Sequence, residues 1–497
     1  MRNLNTIFIT CSFLIIAFSA NAQVCNCSID QVENNSVNPC TIVTGEVVTV
    51  NSVSSFRNAI NQANASGGNM TILIEDGTYQ VSSSVSYPYI TANNLVIRSL
   101  SGNRDMVILH GGGMHDVSPN TEDGLNVAGN NVIIADLTIK DVGNHGIQVS
   151  GHNLRVHNVR IQNTYQQMLK GATSASSIDS AVIQCSLFEY TSGVGPNYYI
   201  GGLDIHKGKD WIVRDNVFKN IISPAASTAE HAIHFWNNSA NNTIERNLII
   251  NCDRGIGFGL GSSPNTGGLV RNNMIYNDGS GLFNDVGIAL ESSPGTKVYN
   301  NTIYIQYENA IEYRFSATTA VDMINNLTNK LIRSRDGGQG NVSNNVTDAE
   351  ASWFEDVSEG DLHLAFDVSG VVNQGVDLST EVTDDFDQTS RPQGSAFDIG
   401  AHELIMTGIN IKSDYSTIRL FPNPNEGIFN IFFVNLTDSP GEYVIEIYNV
   451  IGEKVLSKKC QEQNCIFEID PSERKTGIYF VKLYVKEKVY VEKFLLQ

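Results

Sequence analysis

The chain has 497 residues, a net charge of −20, only 17% charged residues and 42 glycines. That length exceeds one ordinary globular domain and suits an elongated repeat domain with an accessory module. The acidic balance leaves no basic stripe to release counterions from a phosphate backbone, which excludes nucleic acid as a partner; a local basic groove for an anionic sugar polymer remains compatible with it.

Residues 1–22 carry Arg2, an apolar stretch from Ile7 to Ala17 and a small-residue end, Ala20-Asn21-Ala22. This pattern predicts a secretory signal cut before Gln23, too short for a membrane anchor. Residues 23–43 are polar and Asn-rich and read as a loosely held lead-in. Of the eight cysteines, Cys11 falls in the leader. Cys25, Cys27 and Cys40 are expected to supply one bridge near the mature N-terminus, and Cys460 and Cys465 one across a hairpin. Cys185 and Cys252 occupy apolar repeat positions and read as buried thiols. From Ser54 to Ala65 the chain places Phe56, Ile60 and Ala63 on one helical face and stops at Gly67-Gly68. A short amphipathic helix is expected there, shielding the open end of the structure that follows.

From about residue 93 one pattern recurs, in NNVIIADLTI, HNLRVHNVRI, DWIVRDNVF, NNTIERNLI, GGLVRNNMI and GTKVYNNTI among others. Taking Asp136, Asn158, Ser186, Asn216, Asn247, Asn273, Asn301, Asn326 and Asn345 as equivalent gives a period of roughly twenty to thirty residues, the signature of a solenoid. Apolar, β-branched runs make its units strands. Stacked Asn side chains would bond one another and the turn backbone. Each unit holds a second strand, as in GGLDIHKG, HAIHFWNN and RGIGFGLG. If Ile147, Leu169, Leu203, Ile233, Ile256, Ile288, Ile311 and Ile332 point inward, the next residue of each points out. Two outward columns follow, one through Gln148, Lys170, Asp204, His234 and Gly257, the other through His206 and Trp236. In-register stacking then gathers Lys170, Asp204, His206, His234 and Trp236 into one patch, walled by the insertions at 190–200 and 222–230. Farther along, Glu312, Arg314, Arg333 and Arg335 read as an ion-paired face.

These repeats resemble the right-handed parallel β-helix proteins of the pectate-lyase-like superfamily, over residues 44–403, with RPQGSAFDIGAHE (391–403) similar to the end of such domains. The resemblance implies an all-β fold: a right-handed parallel β-helix with an N-terminal helical cap. After a linker at 404–417, residues 418–497 alternate as a small β-sandwich. Their Pro422-Asn423-Pro424, Gly452-Glu453 and Gly477-Ile478-Tyr479 resemble the C-terminal sorting domain of the type IX secretion system of Bacteroidetes. That resemblance implies passage through the outer membrane by the type IX machinery, then release or surface attachment.

A long outward β-helix face suits a polymer. On a uronic-acid chain the useful step is removal of the C5 proton, which needs a base and a cation to stabilise the developing enolate. His206 or Lys170 could be the base, Lys170 or Arg254 the carboxylate neutraliser, and Asp204 an orienter of His206 or an acceptor for a sugar hydroxyl. Asp204-Ile205-His206 resembles the Asp-Pro-His motif of mannuronan C5-epimerases, which combine it with a Lys on the preceding coil; Lys170 holds that place. Asp253-Arg254 before a Gly-rich strand is similar to the same enzymes. Ile205 stands where that family has Pro, and Gly201 where it has Tyr, with Tyr198 and Tyr199 close by. Lys170, Asp204 and His206 are thus the catalytic candidates, and His231, His234, Trp236, Arg254, Tyr199 and Lys209 the substrate-binding ones. Expulsion of O4 would make the chain a polysaccharide lyase; reprotonation from the other face, a C5-epimerase. A glycoside hydrolase needs paired carboxylates, and Asp204 has no acidic neighbour in either column on adjacent coils. A non-catalytic glycan-binding or adhesin role is the third reading. Calcium is a candidate cofactor without a legible ligand set, and a monomer is expected.

Overall fold

The computed structural model describes residues 27–81, 88–118, 122–171, 174, 176–405 and, toward the C-terminus, 418–421, 423, 425, 428–433, 443–460, 464–468, 475–485 and 488–496. The expected signal segment and Cys25 lie outside the described residues, as do the side chains of Cys460 and Cys465 and the bridge expected between them.

Three parallel sheets of twelve, ten and ten strands wind into one coil, each strand pairing with its counterparts on the coils before and after. In the sheet that carries the candidate residues, Ile147, Leu169, Leu203, Ile233, Ile256, Ile288, Ile311 and Ile332 stand in register, as their alternation predicts. All but the last, which is partly buried, are inaccessible to solvent. Each such side chain contributes about 1.5–3 kcal/mol by leaving water, so the column holds the alternate residues firmly outward. The helix Val53–Ser66 buries Phe56, Ala59, Ile60 and Ala63 against the first coil. Its N-cap is Ser52, two residues before the expected start, because Ser52 and Ser55 form a reciprocal capping box; Gly67, with φ of +83°, ends it.

The corner between the twelve-stranded sheet and the third sheet is turned by one left-handed residue per coil. These are Asp136, Asn158, Cys185, Asp215, Arg246, Asn272, Asn300, Asn325 and Asn344, all with φ between 51 and 58°. Asn and Asp tolerate that conformation best. The buried ladder is the following residue: Asn216, Asn247, Asn273, Asn301, Asn326 and Asn345 hand an amide hydrogen bond from each to the next at 2.9–3.0 Å. The expected ladder is therefore corrected at its start. Asp136 and Asn158 belong to the left-handed column and bond each other there, while Ser186 is the first polar member of the inner one, accepting from Val159 and donating its N–H to Asn216. The recurring Asn doublets are explained by this division: the first Asn turns the chain and the second stacks.

The lead-in is pinned rather than loose. Ser28 caps a short helix, Ile29–Glu33, whose Val32 is fully buried. Glu33 pairs with Lys219, Asn38 is bonded by His157 at 2.9 Å, and the Cys40 N–H donates to Asp136. Cys27 forms a disulfide with Cys185, 158 residues away. This overturns the expectation of a local partner for Cys27 and of a buried Cys185 thiol: the left-handed turn at Cys185 aims its side chain outward, onto the lead-in. Cys252 is a buried thiol, as expected, with its pKa pushed up to about 12 by burial. Closing so long a loop restricts the unfolded chain, so Cys27→Ser is expected to lower unfolding stability by about 2–4 kcal/mol, read from denaturant midpoints; an unchanged midpoint would show the strap to be held by its other contacts alone.

Beyond the last coil the chain returns along the same corner. Asn272, Asn300 and Asn325 donate to the carbonyls of Asp384, Asp398 and Val376. The segment closes on a buried Arg391–Glu403 pair. At the C-terminus, antiparallel sheets of three and four strands share a core of Phe429, Ile431, Ile445, Ile447, Val481 and Phe494, among others, as a small sandwich.

Candidate functional site

The strands Leu169–Gly171, Leu203–His206 and Ile233–Trp236 run side by side. Their register sets Lys170 beside Asp204, Asp204 beside His234, and His206 beside Trp236. Leu203, Ile205, Ile233 and Phe235 fill the core, so Asp204, His206, His234 and Trp236 must face out. The Asp204 carboxylate is the centre of the group. Its Oδ2 forms an ion pair with the Lys170 ammonium and lies 3.8 Å from His206 Nε2. Its Oδ1 accepts from Trp236 Nε1 at 2.6 Å and lies 3.9 Å from His234 Nδ1.

The group is outward but not open. Side-chain exposure is 9% for Lys170, 4% for Asp204 and 6% for His206. An aromatic rim stands over it. The Trp236 ring lies 4.3 Å from that of His206 and stacks on His234 at 5.6 Å. Tyr199, half exposed, has its ring centre 6.0 Å from Lys170 Nζ. The alternation of the sequence places these side chains, Trp236 among them, on the right face, but the Tyr199 side of the rim comes from an insertion whose path alternation does not encode.

Burial and neighbouring charge set the protonation states in opposite directions. Burial alone would raise the Asp204 carboxyl, but Lys170, His234 and His206 outweigh it and hold the group below the ordinary range. Burial lowers His206 to about 4, with Asp204 opposing and Lys170 assisting, so its imidazole is neutral at physiological pH. Burial also lowers His145, on an earlier coil, to about 4, helped by Lys170. For His234 burial is outweighed by Glu230 and Asp204, and the pKa rises. His231 is lowered well below the usual value by burial, then by His234 and Arg254. The site thus joins an ammonium, a carboxylate and a neutral imidazole within a few ångströms, a set able to hold an anionic group and move a proton.

The remaining candidates separate. His231 is buried, its ring 4.5 Å from that of His234. Arg254 is bound to Asp285 at 2.8 Å, not to Asp253, whose carboxylate instead accepts from the backbone of Ser223 and Ala229. Lys209 is exposed, in the strand Gly208–Lys209 of a separate four-stranded sheet, and is not brought to the group. Farther along, Arg335 pairs with Glu312 and Arg314 with Glu291, as expected for an ion-paired face. Two participants are absent from the sequence reading. Glu230 places Oε2 3.6 Å from His234 Nδ1, and the Asn237 amide lies 3.2 Å from His206 Nδ1. Glu230 ends the 222–230 insertion and Asn237 follows the strand with φ of +53°; neither occupies a strand column. Among the described residues, donor atoms of Glu230, His231 and His234, and separately of Asp385, Asp387 and His402, come within 4.8 Å of one another and could hold a metal ion.

Residues 419–497 match the secretion system C-terminal sorting domain family. No curated protein matches the chain. Among solved structures, pectate lyase Pel9A superposes with a TM-score of 0.51 at 15% sequence identity, over 73% of this chain and 97% of that one. An alginate lyase from Paenibacillus sp. str. FPU-7 gives a TM-score of 0.41 at 14% identity, over 60% and 99% of the two chains. An endo-xylogalacturonan hydrolase from Aspergillus tubingensis gives 0.32 at 12%, over 60% and 94%. No helix among the described residues is long and apolar enough to cross a membrane. The chain is therefore a parallel β-helix, a fold it shares with pectate lyase Pel9A, followed over residues 419–497 by a type IX secretion sorting domain that directs export to the cell surface or beyond it.

Proposed function

We propose that the protein is an exported enzyme of uronic-acid-containing polysaccharides that removes the C5 proton of a bound residue. One observation carries this reading: the Asp204 carboxylate fixes the Lys170 ammonium within the reach of a neutral His206. Lys170 meets the substrate carboxylate and takes up the charge that develops there as C5 loses its proton. His206 Nε2 is buried without a hydrogen-bond partner among the described residues. Asn237 Nδ2 lies 3.2 Å from Nδ1; rotation of that amide by half a turn lets its oxygen accept from Nδ1–H and leaves Nε2 to accept the proton. The incoming carboxylate adds negative charge beside the imidazole and raises its basicity toward working pH. Trp236 and Tyr199 offer ring faces to the sugar.

The first outcome is β-elimination. The C5–H electrons form the C4–C5 double bond, the C4–O4 bond breaks, and O4 leaves with a proton. The second outcome is C5 epimerisation, in which the same carbanion is reprotonated from the other face; the Lys170, Asp204 and His206 constellation favours keeping it. Incubation with alginate, pectin, ulvan and glycosaminoglycans decides between them. A rise in ultraviolet absorbance from the unsaturated product gives the lyase; solvent deuterium entering the polymer without cleavage gives the epimerase. Tight binding of a polymer with neither change would leave a glycan-binding protein and refute the enzyme.

A further inference from the structure

We infer that Glu230, His231 and His234 form a site for a divalent first-row transition ion, zinc foremost, set against the Asp204 group. The donor set is two imidazole nitrogens and one carboxylate, with ligand atoms within 4.8 Å of one another. It suits zinc and related ions and is too poor in oxygen for calcium or magnesium. Glu230 and His231 are consecutive and His234, three residues on, is the second residue of the strand Ile233–Trp236, so one short segment delivers all three.

The ring nitrogens point to a missing partner. His231 Nδ1 and Nε2 and His234 Nδ1 are buried, and none has a hydrogen-bond partner among the described residues. Buried polar atoms are almost always bonded, and each exception needs a reason. Protonating His234 accounts for that ring alone, by ion pairs with Glu230 at 3.6 Å and Asp204 at 3.9 Å, both longer than a hydrogen bond, and both nitrogens of His231 would stay unserved. An ion at about 2.0–2.2 Å from each donor would draw the three together and serve both rings.

The surroundings fit a ligand set. His234 Nε2 lies 3.0 Å from the Gly259 carbonyl, which fixes the proton on that nitrogen and turns the Nδ1 lone pair toward Glu230. Backbone carbonyls commonly orient metal-binding histidines in this way. On the next coil the outward position is Gly257, and a Cβ there would come within 2.7 Å of His231 Nε2. The glycine leaves its slot to the imidazole. Arg254, whose positive charge faces His231, is engaged by Asp285, and the Asp204 carboxylate adds negative charge on the other side. Glu230 is 27% exposed at its side chain, which leaves the ion an open face where an anionic group of a substrate could bind. The cluster of Asp385, Asp387 and His402 differs. Asp385 accepts from the backbone of Asp387 and Thr389, Asp387 is bonded to His363, and His402 accepts from the Leu364 N–H, so its donors are already used.

The ion is a property of the resting protein and does not rest on the polyuronate reading; only its use as an anchor for substrate does. The test loads the full-length protein with zinc or with calcium, dialyses it against a weak chelator, and measures bound metal and the thermal midpoint without substrate. About one zinc per chain is expected, with a midpoint raised by zinc and not by calcium. Glu230→Gln and His231→Gln are each expected to weaken zinc retention by about tenfold or more, and His402→Gln to leave it unchanged. Circular dichroism confirms that each variant is folded, and the two ligand variants guard against one that is not. No retained zinc and no midpoint shift would overturn the site, as would retention undiminished in both Glu230→Gln and His231→Gln. Loss of turnover on polyuronates with zinc retained would instead refute the reaction and leave the site.

Discussion

Replacing Asp204 with Ala is expected to abolish turnover and to lower unfolding stability by about 3–5 kcal/mol, the cost of leaving one member of a buried ion pair alone. Lys170 and Asp204 are both nearly inaccessible, so water cannot stand in for the lost carboxylate. Trp236 Nε1 also loses its acceptor. Lys170→Met should cost a comparable amount, since it strands the carboxylate instead. The double variant Lys170→Met/Asp204→Leu separates structure from chemistry: apolar groups of similar size in place of a buried pair are often nearly neutral in stability, yet no ammonium remains to meet a uronate. Denaturant midpoints should therefore recover in the double variant while product formation does not. The pH dependence has a definite sign. A carboxyl held below its ordinary pKa contributes stability above that ordinary value, about 3.8, and loses it as pH falls through the depressed one. Wild type and Asp204→Ala should therefore converge in strong acid. Normal turnover in Asp204→Ala would remove the carboxylate from the mechanism altogether.

The sheet register was legible because burial of every second residue is a periodic signal, and a slip by one would expose Leu203, Ile205, Ile233 and Phe235 together. That is why the meeting of Lys170, Asp204, His206, His234 and Trp236 could be read from spacing. The Asn ladder was legible from Asn216 onward and misplaced by one residue at Asp136 and Asn158, where the inner position is apolar; composition alone does not distinguish a turning Asn from a stacking one. The Cys27–Cys185 bridge was not legible. Its partners are 158 residues apart, and only the path of the lead-in brings them together. Glu230 was missed for a related reason: insertions follow no period, so its side chain cannot be assigned to a column, and Tyr199, although named as a candidate, could not be placed over Lys170 from spacing. Burial of the site depends on the Tyr199 side of the rim too, and periodicity carries no information about that side.

The ladder itself invites a graded measurement. Asn273 is fully buried at the middle of the run. Its amide donates to the Ile244 and Arg271 carbonyls and to Asn301, and its oxygen accepts from both the backbone and side chain of Asn247, all at 2.9–3.0 Å. Asn273→Ala strips partners from groups on the coils to either side that water cannot reach. With about 1–3 kcal/mol for each stranded group and some relaxation, a loss of about 3–5 kcal/mol is expected. Asn345 ends the same run, half-buried, donating to Met323 and Ser343. Water can replace an amide there, so Asn345→Ala should cost about 1 kcal/mol. Denaturant midpoints of the two variants test whether the ladder acts through burial: equal losses would mean that each Asn contributes only its own local turn, and the difference between middle and end would vanish. A large loss at Asn273 alone would place the stability of the coil in satisfied polar groups as well as in its apolar columns, because the left-handed corners that let so short a coil close can be stacked only if their backbone groups find partners within the protein.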